Sequence, residues 1–318
     1  MKNEKEIRKY LSVIKRATSL IEGLLEEDGG MMEKLMEEPE KKEPVRFETK
    51  PVQAPQRPVE LPNEREAFVK SLVNMKDWPE AIPQFLAIEK YTPADEATRA
   101  KSILDKIMDK PLNGLRVLDF GCGDGWITQE IGNRGATPVV GYDIVRSEKW
   151  KSHNNALFVD TFSRISDHSF DVVLLYDVLD HCVRPEEVMK QVRSVLSPNG
   201  LVYVRCHPWT SKHATHIYRI GLNKSYAHLL LRPEEIRPLL SVDPIFTRAD
   251  INPRVSYHHW FKDFHILKEQ ETRENVPEFF SQPAVKKALL FSQGVTDGYA
   301  DRFWELLQVQ FVYFVLKL

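Results

Sequence analysis

The stretch Leu115-Arg-Val-Leu-Asp-Phe-Gly-Cys-Gly-Asp-Gly-Trp126 constrains the fold of this chain more than any other. An apolar strand runs into a loop with glycine at every second position, and a helical stretch follows. Glycine there lets the backbone approach a ligand that side chains would block. The loop is also expected to leave amides of a helix N-terminus unpaired and facing the site. The spacing is GxGxG, and Trp126 stands where a dinucleotide pyrophosphate would want a third glycine. Asp119 and Asp124 flank the loop. Carboxylates there repel a pyrophosphate and suit a ligand carrying an ammonium and a sulfonium. A second acid, Asp143, ends the next strand, Val139-Val-Gly-Tyr142. An acid at that tip, about 20 residues beyond the glycine loop, can accept both ribose hydroxyls.

Apolar strand-type runs recur with helical stretches between them: Leu115–Phe120, Thr137–Tyr142, Ala156–Val159, Phe170–Tyr176 and Gly200–Cys206. This alternation predicts an α/β fold with a doubly wound, mostly parallel sheet. After Cys206 the pattern changes to a stretch rich in His, Tyr and Trp, then a helix from about Pro233. Strands expected near Asp263–Glu271 and Leu306–Leu318 would close an antiparallel hairpin on the edge of a seven-stranded sheet. Three regions separate by composition. Residues 1–36 carry an apolar stripe from Ile7 to Leu25 and read as an amphipathic helix. Residues 37–64 hold six prolines among charges and read as a linker. Residues 65–318 hold the rest, with a lid insert over about 207–232.

On these residues the chain resembles the class I S-adenosylmethionine-dependent methyltransferases, over roughly Arg116 to Pro208. Ser169-Phe-Asp-Val-Val-Leu-Leu-Tyr-Asp-Val-Leu-Asp-His181 is similar to the family's fourth strand and its following turn. Pro185 to Val204 is similar to its next helix, a Gly-rich turn in which Asn199 replaces the first glycine, and the fifth strand. The style is nearest to the ubiquinone-type O-methyltransferase branch, which acts on small molecules. The resemblance implies S-adenosyl-L-methionine as cofactor. Gly121, Gly123 and Gly125, with Cys122 and Asp124 between them, would line its methionine part. Asp119 would orient the amino group, directly or through the loop. Asp143 would hold the ribose. Asp160 and Thr161 would sit by the adenine, and Tyr176 and Asp177 would flank the methionine end.

Methyl transfer from a sulfonium is an in-line displacement, so a base is needed only when the acceptor carries a proton. His181, in the turn after the fourth strand, and His207, His213 and His216, after the fifth, are the candidates. His213 and His216 are three apart and could share a helix face, but no carboxylate completes a metal site at recognisable spacing, so no metal is expected. The fourth-strand turn lacks the proline pair used for exocyclic base methylation, and Cys182 has no preceding proline. A hydroxyl or amine of a small-molecule or sugar/nucleotide-type acceptor comes first. A protein side chain, or a non-catalytic scaffold that merely binds the cofactor, stands behind it.

The remaining numbers narrow partners and setting. Net charge is −2, from 44 Lys+Arg and 46 Asp+Glu, so no global field draws nucleic acid or an anionic membrane. Cys122, Cys182 and Cys206 form no CxxC pair, which suggests reduced thiols and a cytoplasmic setting. No apolar run reaches the roughly 18 residues of a membrane span. The helix over 1–36 is expected to mediate self-association or bind a protein partner.

Overall fold

The computed structural model describes residues 62–84, 87, 90–182, 184–240 and 254–318. The expected helix over 1–36 and the linker over 37–64 lie outside the described residues, except that the first helix, α1 (Pro62–Val73), begins two residues before the predicted linker end. α2 (Pro93–Ile107) has the start its sequence dictates. The Thr92 hydroxyl accepts from the Asp95 amide at 3.3 Å, the Asp95 carboxylate accepts from the Thr92 amide at 2.8 Å, and Pro93 occupies the first turn.

The sheet contains β1 (Val117–Phe120), β2 (Val139–Tyr142), β3 (Leu157–Val159), β4 (Phe170–Tyr176), β5 (Leu196–Cys206), β6 (His265–Arg273) and β7 (Val309–Lys317). Their order is β3-β2-β1-β4-β5-β7-β6. The first five pair in parallel, and β7 runs antiparallel to both β5 and β6. The predicted doubly wound sheet with its antiparallel edge hairpin is therefore what forms. β1 and β2 are buried along their whole length, as strands covered on both faces must be. The order reverses between β1 and β4, where ligands bind in open α/β sheets.

β5 starts earlier than expected. Leu196 already pairs with Phe170, and residues 197–200 bulge before Leu201 takes up the register opposite Val172. Gly200 permits the bulge, because a Cβ there would lie 2.6 Å from the Leu196 side chain and 3.0 Å from the Phe170 carbonyl.

One face of the sheet is covered by α4 (Pro185–Val195) and α5 (Arg254–Trp260), through Met189, Val192, Tyr257 and Trp260. The other is covered near β1 by α2 and α3 (Trp126–Asn133), through Leu104 and Ile131. A third apolar cluster joins α1, residues 209–240, α6 (Pro283–Ser292) and α7 (Ala300–Gln308) around Trp78, Tyr226 and Phe280. Residues 207–232, expected as a lid, are thus built into a packed cap. The Trp78 indole donates to the Ser225 carbonyl at 3.0 Å, and the Tyr226 hydroxyl donates to the Leu307 carbonyl at 2.7 Å. Since β7 starts beside the end of β5, the cap stands at the carboxyl edge of the parallel strands. Among the described residues, no helix is long and apolar enough to cross a membrane.

Candidate functional site

The glycine loop joins β1 to α3, and all three of its glycines have positive φ: +78° at Gly121, +52° at Gly123 and +87° at Gly125. An L side chain would be strained at each. Two are also tightly approached. A Cβ on Gly121 would lie 2.5 Å from Val178, and one on Gly125 would lie 2.6 Å from Phe158. At Gly123 a Cβ would meet nothing within 4 Å, so this glycine opens on free space.

The amides expected to stay unpaired are those of the helix N-terminus at Trp126; the loop amides ahead of it are satisfied within the protein. Gly121 and Cys122 donate to the Tyr142 carbonyl at 2.7 and 3.0 Å, and Gly125 donates to the Cys122 carbonyl at 2.9 Å. Gly123 donates to Asp143 Oδ2 at 2.8 Å. The loop is braced from outside as well. The Trp150 indole donates to the Gly123 carbonyl at 2.7 Å while stacking on Phe158, and His153 contacts the Asp124 carbonyl at 3.0 Å. The Trp150 and Phe158 braces were not anticipated, because an aromatic in the short helical turn after β2 and one inside β3 read as ordinary core.

The flanking acids divide by task. Asp143 accepts from Gly123 and, through Oδ1, from the Val145 amide at 2.9 Å. An ionised carboxylate has about four acceptor sites, so two remain for a diol. Burial raises its pKa, against the pull of those two amides. Asp160 and the exposed Thr161 follow directly beside it, since the Asp143 amide donates to the Val159 carbonyl at 3.2 Å. Ile144, 73% exposed, adds an apolar face at the same mouth. Open space at Gly123, spare acceptor sites on Asp143 and an apolar wall suit a cationic, ribose-bearing donor.

Three other expected contacts lie elsewhere. Asp119 is only 2% exposed and accepts from the Thr128 hydroxyl of α3 at 2.6 Å. Only its indirect role, through the loop and helix, remains. Burial pushes its pKa up to about 7. Asp124 takes the Ser147 hydroxyl at 2.6 Å and the Lys149 ammonium at 2.7 Å, and so ties the loop to the segment after β2. The Cys122 side chain turns toward Gly141, where burial and the Asp119 and Asp143 carboxylates push its thiol pKa up.

Tyr176 ends β4, and the carboxylate of the next residue, Asp177, is engaged by Arg205 and His207. The φ of Asp177 is +55°, its amide donates to the Arg205 carbonyl at 3.0 Å, and its carboxylate forms an ion pair with the Arg205 guanidinium. Burial opposes ionisation of Asp177, yet Arg205 and then His207 hold it well below the usual carboxylate range. Arg205 lies between the rings of Phe311 and Tyr176, at 3.6 and 4.5 Å from their centroids.

Around this pair the four candidate histidines converge. His207 Nε2 lies 3.5 Å from Asp177 Oδ2 and 3.9 Å from Asp180 Oδ2, and its amide donates to Asp180 at 3.3 Å. Its ring stands 4.8 Å from that of His213 and 5.3 Å from that of His216, while His181 lies 4.7 Å from His216. His213 and His216 share no helix. They lie in successive turns, with His216 at φ +53°, and meet through His207. Burial, then the neighbouring His207, lowers the pKa of both. Asp180, fully buried, is pushed up by burial.

Ligand atoms of Asp177, Asp180 and His207 lie within 4.8 Å of one another, a set with the donor types of a metal site that the sequence spacing did not reveal. The Arg205 guanidinium already compensates Asp177 from inside. The cluster adjoins the glycine loop, since Val178, next to Asp177, is the residue that a Gly121 Cβ would strike.

Residues 94–289 match the family described as "Methyltransferase domain". The ubiquinone biosynthesis O-methyltransferase of Neisseria meningitidis serogroup C is 29% identical over 136 residues, which are 39% of this chain and 52% of that protein. Its namesake from Brucella ovis is 27% identical over 197 residues, 55% of this chain and 77% of that protein. The chain therefore spans about half the length of the Neisseria relative and three quarters of the Brucella one. The solved S-adenosylmethionine-dependent methyltransferase of Archaeoglobus fulgidus aligns over 74% of this chain and 100% of its own, with a TM-score of 0.44 and 15% identity.

Proposed function

The chain belongs to the methyltransferase-domain family, whose methyl donor is S-adenosyl-L-methionine, and on that premise we propose that it methylates a hydroxyl group of a small organic acceptor. The observation that carries this reading is the convergence of His207 with Asp177 and Asp180 beside the donor loop. The hydroxyl acceptor also agrees with the relatives' name as O-methyltransferases.

When bound, the donor supplies an electrophilic methyl group on its sulfonium. The chain's own residues then align, shield and deprotonate. Asp143 receives the ribose hydroxyls, with Asp160, Thr161 and Ile144 beside the adenine. Gly121, Gly123 and Gly125 leave room along the methionine part. At His207, a proton on Nε2 faces the two carboxylates, which leaves the lone pair on Nδ1, an atom that is buried and without a partner. That nitrogen takes the acceptor's hydroxyl proton as the carbon–oxygen bond forms and the methyl carbon–sulfur bond breaks, with S-adenosylhomocysteine as the leaving group. His216 and the exposed His181 continue from it toward solvent.

The test is a transfer assay with methyl-labelled S-adenosylmethionine against a catechol, a phenol, a primary amine, a nucleoside sugar and a histidine- or lysine-bearing peptide. Label in a methyl ether of the catechol or phenol is the expected result. Label only in the amine or the peptide overturns it. A narrower expectation concerns the donor site. Asp143→Ala should weaken S-adenosylhomocysteine binding by about ten- to a hundredfold, the value of hydrogen bonds to a charged group. Titration calorimetry reads this directly, and an unchanged affinity removes Asp143 from the ribose site.

A further inference from the structure

Strand register places a second set of polar groups on the sheet, away from the donor loop. Leu174, Tyr203, Val315 and Lys268 lie side by side across β4, β5, β7 and β6. Tyr176, Arg205, Tyr313 and Gln270 form the next row. On the face these rows share, a cleft of about 210 Å³ opens between the end of α2 and the β5–β7–β6 surface. That is roughly seven waters' worth of space at ~30 Å³ each, room for a small organic molecule.

Its charge is one-sided. Lys106, Lys268 and Arg205 line it, and no carboxylate among the described residues does. Alternation along β6 explains why. Lys268 and Gln270 point to the cleft, whereas the intervening Glu269 faces the other way and meets His258 at 3.2 Å. Neither lysine forms an ion pair with a described residue. The floor holds a further sign of a ligand: Arg205 is 8% exposed, its guanidinium is engaged by Asp177 and Tyr313, and its Nε is still buried without a hydrogen-bond partner. A buried, orphaned guanidinium nitrogen is costly unless something accepts from it. Of the carboxylates nearby, Asp177 holds the far side of the guanidinium, and Asp109 is engaged by the Tyr203 hydroxyl at 2.5 Å.

We propose that this cleft is a second ligand site, for a small organic carboxylate whose oxygens face Arg205 Nε and the two lysines and whose apolar body lies against Ile107 and Val315. Because the same guanidinium holds Asp177 at the carboxyl edge, occupancy of the cleft and the state of the His207 cluster are thermodynamically coupled through Arg205. The inference goes beyond the methyl-transfer reading and does not depend on which acceptor is used.

The experiment titrates sodium benzoate into the full chain saturated with S-adenosylhomocysteine, so that the donor site is filled. One benzoate should bind per chain. The double variant Lys106→Gln/Lys268→Gln should weaken it by about tenfold or more, the effect of losing charge-assisted hydrogen bonds, with S-adenosylhomocysteine affinity unchanged. A charge-matched control, Lys286→Gln/Lys287→Gln on α6, should leave benzoate binding intact. The site is overturned if saturated protein takes up no benzoate, if the cleft variant binds it as the wild type does, or if the α6 control weakens it equally.

Discussion

Replacing His207 by alanine should lower turnover by about a hundred- to ten-thousandfold while leaving S-adenosylhomocysteine affinity within a few-fold. The residue is held from three sides. Its amide donates to Asp180, its carbonyl accepts from the Tyr257 hydroxyl at 2.6 Å, and its Nε2 faces both carboxylates. Such support fixes ring orientation and leaves Nδ1 as the basic atom, the arrangement by which a carboxylate prepares an imidazole for proton abstraction. His207→Ala should lower kcat and kcat/KM together with little change in KM for the acceptor, a pattern that lost packing alone would not produce. A matched control is His228→Ala. His228 is equally buried in the cap, where it contacts the Trp209 carbonyl at 2.8 Å, outside the four-histidine cluster, and burial lowers its pKa to about 4. That variant should cost stability but keep turnover. Normal turnover in His207→Ala would assign the proton to another group.

What could be read from the sequence was what depends on local backbone chemistry. The glycine loop needs positive φ at each glycine, and an acid at the tip of β2 must fall beside it whatever the rest of the chain does. The alternation of strands and helices likewise determines a parallel sheet, so β1 to β5 and the late hairpin were legible within a few residues. The candidate histidines were found as types near the right edge, but their convergence was not legible. His181 and His207 are separated by α4 and β5, and only the crossover brings the two turns together.

Arg205 shows the limit most clearly. In Leu201-Val-Tyr-Val-Arg-Cys206 the period of two puts it opposite Val204, but what it meets depends on β7, which arrives about a hundred residues later and sets Phe311 and Tyr313 around it. For the same reason Asp177 reads only as a residue flanking the methionine end of the donor, and its ion pair with the Arg205 guanidinium is not legible from the strand alone. The bracing of the loop was not legible for a different cause. Only the folded chain shows that the Tyr142 carbonyl and the Asp143 carboxylate accept from the amides of Gly121, Cys122 and Gly123.

Asp119→Asn should make the protein more stable above neutral pH, by on the order of 4 kcal/mol at the plateau. The carboxyl is almost fully buried, and its pKa rises from 3.8 to about 7, with burial as the largest cause and the Asp143 charge adding to it against the Thr128 hydrogen bond. The direction of the pH effect follows from proton counting. Between the two values the folded chain holds a proton that the unfolded chain has released. The group's contribution is therefore fully present below pH 4, declines as pH rises, and is lost once pH passes about 7. Asparagine keeps an oxygen to accept from the Thr128 hydroxyl and cannot ionise. Its stability relative to the wild type should thus be near zero at pH 4, grow through pH 5 to 7, and level off above pH 8. Urea unfolding of both proteins across that range measures the difference directly. Curves that stay parallel from pH 4 to 8 would show that Asp119 is ionised throughout, stabilised by a partner in its pocket other than Thr128.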